Sequence, residues 1–109
     1  MTDRPPTSTF LRLTEPMLGD DVTRGTMMGY PCLRFRGKFF ASEERGSGNL
    51  IVKLPATWVK EHIAAGRGVP FLPNGRVFRE WLLVTETDED QWRTLLAEAR
   101  ATVEGEAER

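Results

Sequence analysis

The chain has 109 residues, a formal net charge of −1 and a single cysteine, with 39% hydrophobic and 28% charged residues. That length holds one core and no second, and it buries roughly two-thirds of the unfolded surface without needing disulfides or metal. One cysteine excludes an intramolecular disulfide and a cysteine-built zinc site; with no long apolar run and no secretory core at Met1–Pro6, the chain reads as a reduced, cytoplasmic protein.

Met1–Thr7 is polar and contains prolines, so a flexible N-terminus is expected there. Ser8 or Thr9 is placed to cap a short helix through Leu13, and Glu15 before Pro16 ends or kinks it. Val22–Met28 reads as a first strand, stopped by Gly29. Tyr30–Phe35 and Lys38–Ser42 flank Arg36-Gly37, the connection of a tight hairpin, although Arg is a poor first residue for a type I′ turn. This register sets Arg34 opposite Phe39 and Leu33 opposite Phe40. Leu33, Phe35 and Phe40 then point inward; Arg34, Arg36 and Phe39 point outward. After the Arg45-Gly46-Ser47-Gly48 loop, Asn49–Leu54 presents Leu50, Val52 and Leu54 on one face. Ile51 and Lys53 form the other.

Pro55 stops that strand, and Thr57–Ala65 reads as a helix with Trp58, Val59, His62 and Ile63 on its apolar face. Gly66 stands where a helix-ending glycine is expected. The stretch that follows is a Gly/Pro-rich loop with a turn at Pro73-Asn74-Gly75. Val77–Thr85 is a last strand, with Phe78, Leu82 and Val84 on one face. Thr87 then caps a final helix, with Asp90 three residues on. Trp92, Leu95, Leu96, Ala99 and Val103 repeat along it at helical spacing, and Trp58, Trp81 and Trp92 all read as core. A single domain over residues 8–103 is followed by an acidic tail, residues 104–109, expected to fray. The plan is α+β: an antiparallel four- to five-stranded sheet with helices packed on one face.

Charge is unevenly spread. Val22–Arg79 holds ten basic residues against three acidic ones, whereas Glu80–Arg109 holds nine acidic against three basic. Such asymmetry has two readings, an anionic partner or an acidic helix that neutralises the basic sheet internally. Arg34, Arg36, Lys38 and Lys53, with Phe39 among them, are the best binding candidates, because cations neutralise phosphates and a ring stacks an unpaired base. The same residues equally serve as a solvated face. Arg67, Arg76 and Arg79 cluster around the Gly/Pro loop, where successive N–H groups of Gly66-Arg67-Gly68 could form an anion nest or simply end a helix. His62 and Cys32 read as packed side chains, with no nucleophile motif beside them. No catalytic residue, metal ligand or cofactor site is predicted.

The segments MMGYPCLRFRGKFFAS (Met27–Ser42), VKLP (Val52–Pro55) and GRVFREW (Gly75–Trp81) resemble the YjbR-like (MmcQ/YjbR) family. With the closing helix, the similarity covers most of residues 22–103. It implies a two-layer YjbR/CyaY-like fold, a relation to the TfoX N-terminal domain, and DNA binding through β-hairpin wings. It supplies no catalytic residues. The expected function is a non-enzymatic cytoplasmic binding protein, with DNA as a partner through the basic sheet or hairpin face. The alternative is a protein-interaction module or homodimer that uses the exposed sheet face without a nucleic-acid role. Phe39 and Ile51 would then be the apolar contacts.

Overall fold

The Ser8 hydroxyl accepts a hydrogen bond from the Leu11 N–H at 3.1 Å, which caps α1 (Thr9–Thr14). A 3₁₀ turn at Glu15–Met17, with Pro16 inside it, ends this helix. The computed structural model describes residues 8–27, 29–44 and 46–108; the expectation of a flexible Met1–Thr7 lies outside these, as do Met28, Arg45 and Arg109. Beyond α1 come β1 (Val22–Met27), β2 (Tyr30–Phe35), β3 (Lys38–Glu43), β4 (Leu50–Lys53), α2 (Ala56–Ala64), β5 (Val69–Phe71), β6 (Phe78–Val84) and α3 (Glu89–Ala107).

The architecture is α+β, built on one antiparallel sheet in the order β1-β2-β3-β4-β6-β5. It has six strands, where the sequence predicts four or five. The added strand is β5, which lies inside the Gly/Pro-rich stretch expected to be loop. Three residues with Pro70 in the middle carry no strand signal of their own, and only the pairing of Val69 with Leu83 and Pro70 with Leu82 makes them a strand.

Alternation along the strands builds the core. Leu33, Phe35, Phe40, Ala41, Leu50, Val52, Leu82 and Val84 pack with Phe10 and Leu13 of α1, Val59 of α2, and Trp92, Leu95, Leu96, Ala99 and Val103 of α3. Trp92 is buried as predicted, and its indole N–H donates to the Glu86 carbonyl at 2.9 Å. Trp58, by contrast, is exposed, because α2 turns Val59 and His62 inward. Phe78 is exposed too.

The hairpin departs from the predicted register at one point. Arg34 faces Phe39 as expected, but Leu33 faces Ala41, so Phe40 is an extra residue in β3. This bulge turns both Phe40 and Ala41 into the core. The closing helix starts one residue later than predicted, because Asp88 is the cap and its carboxylate accepts the Gln91 N–H at 3.2 Å. It also runs through Glu104–Ala107, where fraying is expected. Lys53 Nζ, at 3.2 Å from Glu106 Oε1, ties this last turn to the sheet.

Candidate functional site

The β2–β3 turn is of type I′, with φ of 49° at Arg36 and 89° at Gly37. A left-handed Arg costs about 1–3 kcal/mol unless its surroundings hold it. Asp21 provides that hold: its carbonyl accepts the Arg36 N–H at 2.8 Å and its carboxylate accepts Nε–H at 3.0 Å. The hydrogen bond first, and the carboxylate charge second, keep the guanidinium protonated even beyond its usual range. It also lies 5.2 Å from the centre of the Phe35 ring. Arg36 thus fastens the hairpin to the start of β1, and its charge is already answered.

Arg34 is differently held. Its guanidinium carbon is 5.5 Å from the Phe39 ring centre, and a Cβ placed on Gly25 would fall 2.4 Å from its terminal nitrogen. Glycine in β1 therefore makes a shelf on which the guanidinium lies, with Phe39 on the other side. The buried Nε has no partner. Lys38, at the turn, is exposed and makes no ion pair among the described residues.

The registers line up one row across all six strands: Gly25, Cys32, Ser42, Ile51, Leu83 and Val69. Cys32, Ser42, Ile51 and Leu83 each neighbour a core residue in their strand, so alternation points this row away from the core. Cys32, Ser42 and Ile51 are nonetheless buried, and Val69 is exposed. Burial pushes the Cys32 thiol above its usual range, opposed by the Arg34 charge and a backbone hydrogen bond from Gly25. A thiol so placed is mostly protonated at neutral pH and a poor nucleophile.

The remaining candidates do not gather. Lys53 lies on the same strand face as Ile51, but its charge is bonded to Glu106 of α3. Arg67 follows a helix stop at Gly66, where φ is 78°. There the Gly66 N–H donates to the Ile63 carbonyl and the Arg67 N–H to the His62 carbonyl. Those N–H groups are spent on ending α2, so the anion nest is not formed. The same turn swings the Arg67 side chain back, and its Nε–H donates to His62 Nδ1 at 2.8 Å. That bond requires an unprotonated Nδ1, which leaves Nε2–H to donate to Glu98 Oε1 at 3.0 Å. Both ring nitrogens of His62 are engaged in structure. Arg76 and Arg79 are exposed and without an ion pair or hydrogen bond to Arg67 or any other side chain among the described residues.

Sequence reasoning missed the partners of these cations and one further feature, a groove beside β6 that involves Lys60, Val77 and Phe78. Its only signal in the chain is the run of apolar residues next to prolines. Among the described residues, no group of three or more His, Cys, Asp or Glu side chains is placed to hold a metal ion, and no helix is long and apolar enough to cross a membrane. No protein-family model, no curated protein and no solved structure matches the chain.

Proposed function

We propose that this chain is a non-enzymatic cytoplasmic binding protein of the MmcQ/YjbR type, related to the TfoX N-terminal domain, in which the helices occupy one side of the sheet and the other side is the contact surface. Its partner in this reading is a second copy of the chain. One observation carries the proposal: the outward row Cys32–Ser42–Ile51–Leu83–Val69 is small or apolar from strand to strand, and Phe39 extends it. Cys32, Ser42 and Ile51 are buried within that row, so the surface it offers a partner is Leu83, Val69 and Phe39.

Charge supports self-association. Lys38 and Arg34 lie toward the hairpin end of this face. Glu44 lies past the far end of β3, beside Val69, Phe71 and Leu83, and its carboxylate is met only by Ser47 and Asn49 among the described residues. A two-fold axis lying in the interface, perpendicular to β3, would set each copy's Lys38 near the other's Glu44, as an isologous interface requires. Non-enzymatic character fits a histidine with both nitrogens engaged and a cysteine held as a buried thiol.

DNA is the second reading, favoured by the exposed Lys38 and by Arg34 beside Phe39. It is weakened because Arg36, Lys53 and Arg67 each already have an acceptor. Sedimentation of the wild type and of Phe39→Asp tests the first reading: a concentration-dependent dimer that the variant abolishes is expected. A wild-type monomer at every concentration would retire it. If labelled duplex is bound instead, Arg34→Ala with Lys38→Ala should lower the log–log salt slope by about one unit per lost phosphate contact.

A further inference from the structure

The pairing of β5 with β6 is broken in a way that opens a site on another part of the molecule. Pro70 faces Leu82, yet the next residue, Phe71, faces Phe78. Arg79, Glu80 and Trp81 are therefore a bulge with no β5 partner. Bulges of this kind re-aim side chains and interrupt the ladder. Next to it lies a groove of about 360 Å³, lined by Val59 and Ile63 of α2, Pro70 of β5, and Val77, Phe78 and Trp81 at β6. Val77 is 60% exposed and Phe78 41%, so two large apolar side chains border this groove in contact with water.

Two cations complete the lining, Lys60 from α2 and Arg79 from the bulge. Neither has an ion pair or hydrogen bond among the described residues, and no acidic side chain lines the groove. Glu80, the neighbour of Arg79, does not line the groove; it lines two adjoining depressions, one of which shares Ala56, Phe78, Arg79 and Trp81 with the groove. The groove is in the size range of small-molecule sites, about 300–1,000 Å³, and it combines their usual apolar lining with a few charged groups.

We propose that this groove binds a small amphipathic carboxylate, with its hydrocarbon body against Val59, Ile63, Pro70, Val77, Phe78 and Trp81 and its carboxylate between Lys60 and Arg79. Charge complementarity selects the anion: a cationic amphiphile would meet two uncompensated positive groups, and a neutral one would leave both without a partner. The guanidinium of Arg79 offers paired N–H donors to a carboxylate, and Lys60 adds a mobile point charge.

Decanoate, used below its micelle-forming concentration, is the probe. Titration into the full chain, followed by backbone amide shifts, should give saturable one-to-one binding with a Kd of about 0.1–1 mM, reasonable for about twelve non-hydrogen atoms. The moving amides should be those of α2 and β6. Lys60→Gln with Arg79→Gln should weaken decanoate binding about tenfold or more while leaving decanol binding nearly unchanged. Both side chains are exposed, so the double variant should keep the wild-type spectrum. Absence of saturable binding would overturn the site, as would equal affinity in the double variant. Shifts centred on Phe39 and Ile51 would also overturn it, since they would place the ligand on the sheet face. The oligomeric state is read separately, so failure here leaves the dimer reading standing.

Discussion

Two glycines show how much a single Cβ costs at this scale. At Gly25 the new methyl would meet only the mobile end of Arg34, whereas at Gly68 it would meet Leu82 Cδ1 at 2.7 Å and the Leu83 carbonyl oxygen at 3.0 Å. Arg34 can swing aside; a backbone carbonyl in the sheet cannot. Gly25→Ala is therefore expected to change stability by no more than about 1 kcal/mol, in either direction. Gly68→Ala should destabilise by about 1–3 kcal/mol, as overpacking does. Urea midpoints of the two variants check this, and equal losses would mean that the Arg34 shelf is as rigid as the β5–β6 junction. The roles of the cations were not legible in the chain. The acceptor of Arg36 lies fifteen residues upstream, and that of Lys53 lies fifty-three downstream. No local pattern announces pairs so far apart. Arg67 is the exception in distance, five residues from His62, but only the left-handed turn at Gly66 brings them together.

Among the elements, those with a strong period were readable and those made by their neighbours were not. The closing helix repeats its apolar residues at helical spacing, and the hairpin has alternating strands around Arg36-Gly37. Both are found close to where the sequence puts them. The bulge at Phe40 was hidden because Phe40 and Ala41 are both apolar and either could face the core. The cap shift from Thr87 to Asp88 was hidden because both residue types cap well. The contact between α1 and α3 is a further element-level feature that titrates. Arg12 donates from both terminal nitrogens to the two carboxylate oxygens of Glu89, one of them at 3.1 Å. This hydrogen bonding first, and the charges of Arg12 and Arg93 with it, hold the Glu89 carboxyl below its usual range. The folded state therefore favours the ionised form. Its contribution to stability is full above the ordinary Glu value of about 4.3 and fades as pH falls through the lower folded value. The stability difference between wild type and Glu89→Gln should thus be constant from neutral pH down to about 4.5 and shrink below it. A difference that instead grows on acidification would show that the bond does not favour ionised Glu89.

At the scale of the whole molecule, the basic middle and acidic end of the sequence are partly reconciled inside the fold. Lys53 meets Glu106 and Arg12 meets Glu89, each joining an early segment to the closing helix. This internal pairing leaves fewer cations free to meet phosphate. The sheet carries a row of small and apolar side chains with opposite charges toward its two ends, and that arrangement supports the proposed self-association. The most direct test mixes isotope-labelled and unlabelled copies in equal amounts and records only contacts between them. Intermolecular contacts to the methyl groups of Ile51, Leu83 and Val69 are predicted, and they should vanish in Phe39→Asp. A dimer whose intermolecular contacts fall on α2, Val77 and Phe78, or a mixture with no such contacts at concentrations where the mass is that of a dimer, would contradict the assignment of the sheet face.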